Sequence, residues 1–134
     1  MTQSLEDYLE MVSFLADEGP VRVTNIAARL GVSKPSVLRA LKTLEEQGLL
    51  THERYQGVVL SERGETASAD IRGRHWALTS FLTDVVGVGP VAAEKDACQM
   101  EHFLSPETLQ KMKAMIPEEA VSGGRASPRG SRQA

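Results

Sequence analysis

Residues 24–44 read TNIAARLGVSKPSVLRALKTL, and the order of residue types in this stretch decides the fold. Thr24 can cap a short helix, 24–30, whose Ile26, Ala27 and Leu30 share one face, and Gly31 supplies the tight turn that ends it. Ser33 is a strong N-cap for a second helix. Pro35 falls in that helix's first turn, where its missing N–H is harmless. Val37, Leu41 and Leu44 then form an inner stripe that runs up to Gly48. Two helices joined by a glycine turn make a helix-turn-helix, in which the second helix enters the DNA major groove by its N-terminal residues.

Upstream, Leu5, Leu9, Val12 and Leu15 recur at a helical period after Ser4, and Gly19-Pro20 closes that first helix. Downstream of Gly48 the period changes. LLTHE (49–53) and VVL (58–60) read as two strands around Tyr55-Gln56-Gly57, a hairpin or wing. A long helical stretch is predicted from Ser61 to about Val86, with Gly73 weakening its middle. After a break at 87–90 a helix runs through Cys98 to about His102, and Ser105-Pro106-Glu107 opens a last helix ending near Met115. The expected fold is mainly α. A winged helix-turn-helix domain (1–72) precedes an all-helical domain (73–116), and the polar segment 117–134 is expected to be a disordered tail.

Net charge is −3, but it is unevenly spread. Between Val21 and Gly64 seven Lys/Arg face four acids, so a basic segment lies between acidic flanks that repel DNA or attract cations. The groove-facing candidates are Ser33, Lys34, Pro35, Ser36, Val37 and Arg39, with Arg22, Lys42 and, in the wing, Arg54 for the phosphate backbone. One such helix reads few bases, so a homodimer is expected, and Leu78, Phe81, Leu82, Val85 and Val86 are the candidate interface. The 41% hydrophobic content is ordinary for globular chains. No apolar run approaches the roughly 20 residues of a membrane span, and the acidic start MTQSLEDYLE is unlike a secretion signal, so a cytoplasmic protein is expected.

Cys98, Glu101 and His102 stand at i, i+3 and i+4, which puts a thiolate, a carboxylate and an imidazole on one helical face. Asp7 and Glu10 make a second i, i+3 pair on the first helix, and His75 offers another imidazole. Hard oxygens mixed with nitrogen and one sulfur suit Mn²⁺, Fe²⁺, Co²⁺ or Zn²⁺ better than Ca²⁺ or Mg²⁺. Each residue also has a plainer reading: acids near a helix start favour its dipole, and a lone cysteine is usually core.

From about Ser4 to Ile116 the chain resembles the diphtheria-toxin-repressor family, in the short form typified by the manganese transport regulator, which lacks a C-terminal SH3-like domain. The resemblance rests on LEDYLE (5–10), NIA (25–27), VSKPSV (32–37), YQG (55–57) running on to Gly64, Arg74-His75, and CQMEH (98–102). It implies a homodimer that binds operator DNA when loaded with Mn²⁺ or Fe²⁺, one or two ions per subunit, and represses metal-uptake genes. Asp7, Glu10, His75, Glu101 and His102 match ligand positions of the manganese branch. Cys98 stands where that branch has a carboxylate and the iron branch a cysteine, while the iron branch has a thioether in place of Asp7. The site thus resembles a hybrid of the two. Glu94 and His75 resemble part of the iron branch's ancillary site, although Thr79 stands where that branch has a carboxylate.

Two rival readings carry their own tests. A winged-helix regulator that senses an organic ligand, or none, would show no Mn²⁺ or Fe²⁺ uptake in equilibrium dialysis. A metal-dependent hydrolase would turn over phosphate or peptide substrates. The surplus of ligands argues against an enzyme, since a catalytic metal keeps a position open.

Overall fold

A computed structural model describes residues 1–118. Its elements are α1 (Gln3–Glu18), α2 (Val23–Leu30), α3 (Lys34–Glu46), β1 (Leu50–Glu53), β2 (Gly57–Leu60), α4 (Glu62–Ser80), a π-helical segment (Phe81–Val86), α5 (Pro90–Met100) and α6 (Pro106–Ala114). They divide into a unit Met1–Asp70 and a second unit that begins at Ile71.

In the first unit, three helices enclose an apolar core of Leu9, Val12, Ile26, Val37, Leu41 and Leu44, and the hairpin adds Leu50 and Val58. Local chemistry sets the helix ends. Thr2 and Ser33 accept hydrogen bonds from the backbone N–H of Leu5 (3.2 Å) and Ser36 (3.3 Å), fixing where α1 and α3 begin. Gly31 adopts φ 67°, the left-handed conformation that ends α2. Thr24 does not cap α2 as expected. That helix starts one residue earlier, with Arg22 at the N-cap and no side-chain cap, and the Thr24 hydroxyl lies 3.5 Å from Asn25 Oδ1.

The strands pair antiparallel from Leu50↔Leu60 to Glu53↔Gly57, with an added bridge between Val21 and Val58. Gly57 is required twice over. Its φ is +76°, and a Cβ there would collide with the Val21 carbonyl oxygen. The wing is thereby held against the residue that precedes Arg22.

In the second unit the long predicted helix is α-helical only to Ser80, and Gly73 does not interrupt it. Phe81–Val86 is wound as a π-helix that ends at Gly87, φ 86°. Thr79 and Thr83 hydroxyls donate to the carbonyls of His75 (2.8 Å) and Thr79 (3.0 Å), back-bonds that bend helices. Of the candidate interface residues, Leu78 is instead fully buried in the core. Phe81, Leu82 and Val85 are half-buried and Val86 is exposed. Ser105 caps α6 through the Thr108 N–H at 3.2 Å. Among the described residues no helix is long and apolar enough to cross a membrane. The expected tail lies, beyond Glu118, outside the described residues.

Candidate metal centre and nucleic-acid interface

His75 of α4 and the end of α5 assemble a cluster inside the second unit. α5 is shorter than the sequence suggested: Met100 is its last residue, Glu101 is its C-cap and His102 lies in the following turn. The face survives, because Glu101 keeps right-handed helical angles and its N–H still bonds to the Ala97 carbonyl at 3.0 Å. Ligand atoms of His75, Cys98 and Glu101 all lie within 4.8 Å of one another. His75 Nε2 is 2.7 Å from Glu94 Oε2, and its Nδ1 is 3.4 Å from Glu101 Oε1. Glu94 Oε1 accepts from the Cys98 thiol at 3.6 Å, and His102 Nε2 stands 3.8 Å from Glu101 Oε1.

These groups are withdrawn from water: the side chains of His75, Glu101 and His102 are 2%, 0% and 1% exposed. Burial disfavours a charged His75. Its hydrogen bonds with Cys98, Glu101 and Glu94, and the charge of Glu101, outweigh that and push its pKa up from 6.5 to about 11. A protonated His75 therefore supplies the positive charge that the buried Glu101 and the half-buried Glu94 need. A donor set of carboxylate, imidazole and thiol at this spacing fits a first-row divalent cation, which would take over that role as the ring gives up its proton. Glu94 sits against both His75 and Cys98, while Thr79, its hydroxyl committed to the His75 carbonyl, adds no carboxylate.

Asp7 and Glu10 lie on α1 in the first unit, Asp7 half-buried and Glu10 fully buried. A buried carboxylate is not what a merely dipole-favouring acid would show, since ionised groups are rarely enclosed without compensation.

On α3, Lys34, Pro35, Arg39 and Lys42 are exposed and Ser36 is half-exposed. Ser33 and Ser36 hydroxyls are 2.9 Å apart, and Arg39 donates to Ser36 Oγ at 3.2 Å. Arg22 and Arg54 are exposed too, and the Arg54 guanidinium lies 5.6 Å from the Tyr55 ring centroid. Val37 is a correction: it is 0% exposed, so it packs the core and reaches no base. Its place on the inner stripe already excluded a groove-facing role. Leu38, 47% exposed, faces outward instead. The missed signal was its spacing, four residues from both Lys34 and Lys42.

Both halves of the chain match known families. Residues 1–58 match the iron dependent repressor N-terminal DNA binding domain, and residues 61–120 match the iron dependent repressor metal binding and dimerisation domain. The chain is 43% identical over 106 residues to the transcriptional regulator MntR of Escherichia coli O6:H1, covering 78% of this chain and 68% of that one. Among solved structures, the metal-dependent transcriptional regulator MtsR superposes with a TM-score of 0.79 at 23% identity, over 87% of this chain and 54% of that one. A manganese-dependent transcriptional repressor in complex with manganese gives 0.71 at 25% identity, over 84% and 52%. The chain thus spans about half the length of these solved relatives.

Proposed function

The chain belongs to the iron dependent repressor family of DNA-binding transcriptional regulators, and from that premise we propose that it is a cytoplasmic repressor of metal-uptake genes. It binds operator DNA as a homodimer when loaded with Mn²⁺ or Fe²⁺, Co²⁺ or Zn²⁺ serving as substitutes, with one or two ions per subunit. It performs no catalysis. Residues 1–72 act as the DNA-binding domain and 73–116 as the metal-binding and dimerisation domain, with Phe81, Leu82, Val85 and Val86 on the dimer face.

The observation that carries this reading is the convergence of His75, Cys98 and Glu101 ligand atoms within 4.8 Å, in the half of the chain that follows a winged helix. His102, in the turn after α5, completes the ligand set within the second unit, and Asp7 and Glu10 of the first unit are ligand candidates on the family resemblance alone. A bound divalent ion supplies the positive charge that lets these carboxylates and the thiolate share one site. Without that charge the carboxylates of the site repel one another, and the two reading heads of the dimer sample many spacings. Only a fraction of those spacings matches successive turns of the major groove. A coupling of about 1–3 kcal/mol changes operator affinity about 5–150-fold.

The test is operator binding against buffered free metal, performed anaerobically because air oxidises both Fe²⁺ and Cys98. Glu101→Ala and His102→Ala should each remove the metal response while the dimer stays folded. A normal response in both variants would refute the site.

A further inference from the structure

We propose that Leu38 reads the C5-methyl group of a thymine in the operator half-site, and so sets base preference at one position. This rests on the DNA-binding reading of α3 given above.

A single exposed leucine needs no explanation on most surfaces. Leu38 differs in where it stands. It is 47% exposed while Val37, Ala40 and Leu41 around it are buried, so it belongs to the outer face of α3. That face carries Lys34, Leu38 and Lys42 at successive steps of four, an apolar residue between two cations. The lysines stand about 6 Å to either side of Leu38 along the helix axis. Their ammonium groups favour the phosphates that border a groove, which leaves Leu38 over its floor.

The polar groups beside it are already linked, Ser33 to Ser36 and Ser36 to Arg39. Leu38 has no hydrogen-bonding group of its own. On the floor of the major groove the feature that rewards an apolar side chain is the thymine methyl. The charge of the flanking residues selects duplex DNA over an apolar protein partner as the occupant.

Metal-loaded protein is used to select duplexes from a randomised pool, and each thymine of the enriched half-site is replaced singly by uracil. Uracil deletes the methyl and keeps every hydrogen-bonding group. One such replacement should weaken binding by wild-type protein about fourfold per half-site, the scale of one lost methyl contact. Leu38→Ala, a change at an exposed position that leaves the core intact, should bind the parent duplex with a similar loss and no longer distinguish thymine from uracil there. Leu38→Met should retain the distinction. If Leu38→Ala discriminates as wild type does, or if no uracil position matters, the methyl contact is overturned while DNA binding stands. If no duplex is enriched at all, the DNA-binding reading falls and the methyl contact falls with it.

Discussion

In Met1–Asp70 the interior is built mainly from Leu9, Val12, Ile26, Leu41, Leu44 and Leu50, each at most 1% exposed, with Glu10 an enclosed carboxylate among them, whereas the unit beginning at Ile71 encloses His75, Ser80 and Glu101 beside Ile71, Leu78 and three alanines. The first kind of interior gains about 1.5–3 kcal/mol for each large aliphatic side chain removed from water, and needs no partner to do so. The second gains less from apolar burial and holds ionised groups that are tolerable only while paired. The winged-helix unit is thus stabilised mainly by packing, and the unit proposed to sense metal by charge compensation.

The sharpest way to break this contrast is in the first core. Leu44→Ala should destabilise the protein by about 2–5 kcal/mol in thermal or denaturant unfolding, whether metal is present or absent. A near-neutral result would mean that packing does not hold the reading head. Next in size is Glu94→Ala, which removes the partner 2.7 Å from His75 Nε2. Competition with a chelating dye should show metal affinity about 10–100-fold weaker, with the unfolding midpoint of the first core little changed.

The His75 proton gives a pH test. Its pKa is raised from 6.5 to about 11, so in metal-free protein the charged ring's contribution to stability is whole below 6.5 and is lost as pH climbs through about 11. At the proposed site, metal uptake must expel that proton. Apparent affinity should therefore rise by about tenfold per pH unit within this window on account of His75, read by buffered metal titration. A flat profile would show that the ring is not a ligand. The smallest effect belongs to Ser33→Ala, which removes the α3 cap and should cost about 1 kcal/mol of stability.

Much of the fold was legible because its determinants are local. Ser33 with Pro35, Gly31, and Ser105 with Pro106 act on backbone groups within a few residues, and all appear where their chemistry demands. The failures were also local competitions decided elsewhere. Thr24 is of a residue type that caps helices, but α2 starts at Val23, beside the Val21–Val58 bridge. The switch from α to π winding after Ser80 left no mark in the periodicity. Within the candidate site, the Cys98, Glu101 and His102 spacing was visible because one helical turn fixes it. The pairing of His75 with Glu94 depends on how α4 meets α5.

The sequence by itself determined that a glycine-turned pair of helices, a hairpin and a sulfur-carboxylate-imidazole face exist in this chain, since backbone hydrogen bonding and helical pitch impose them over short spans. Only the tertiary structure decided that Val37 turns inward and Leu38 outward, that Leu78 is core, and that His75 stands between two carboxylates. Those outcomes depend on which surfaces pack together, and packing is set by segments far apart in the chain.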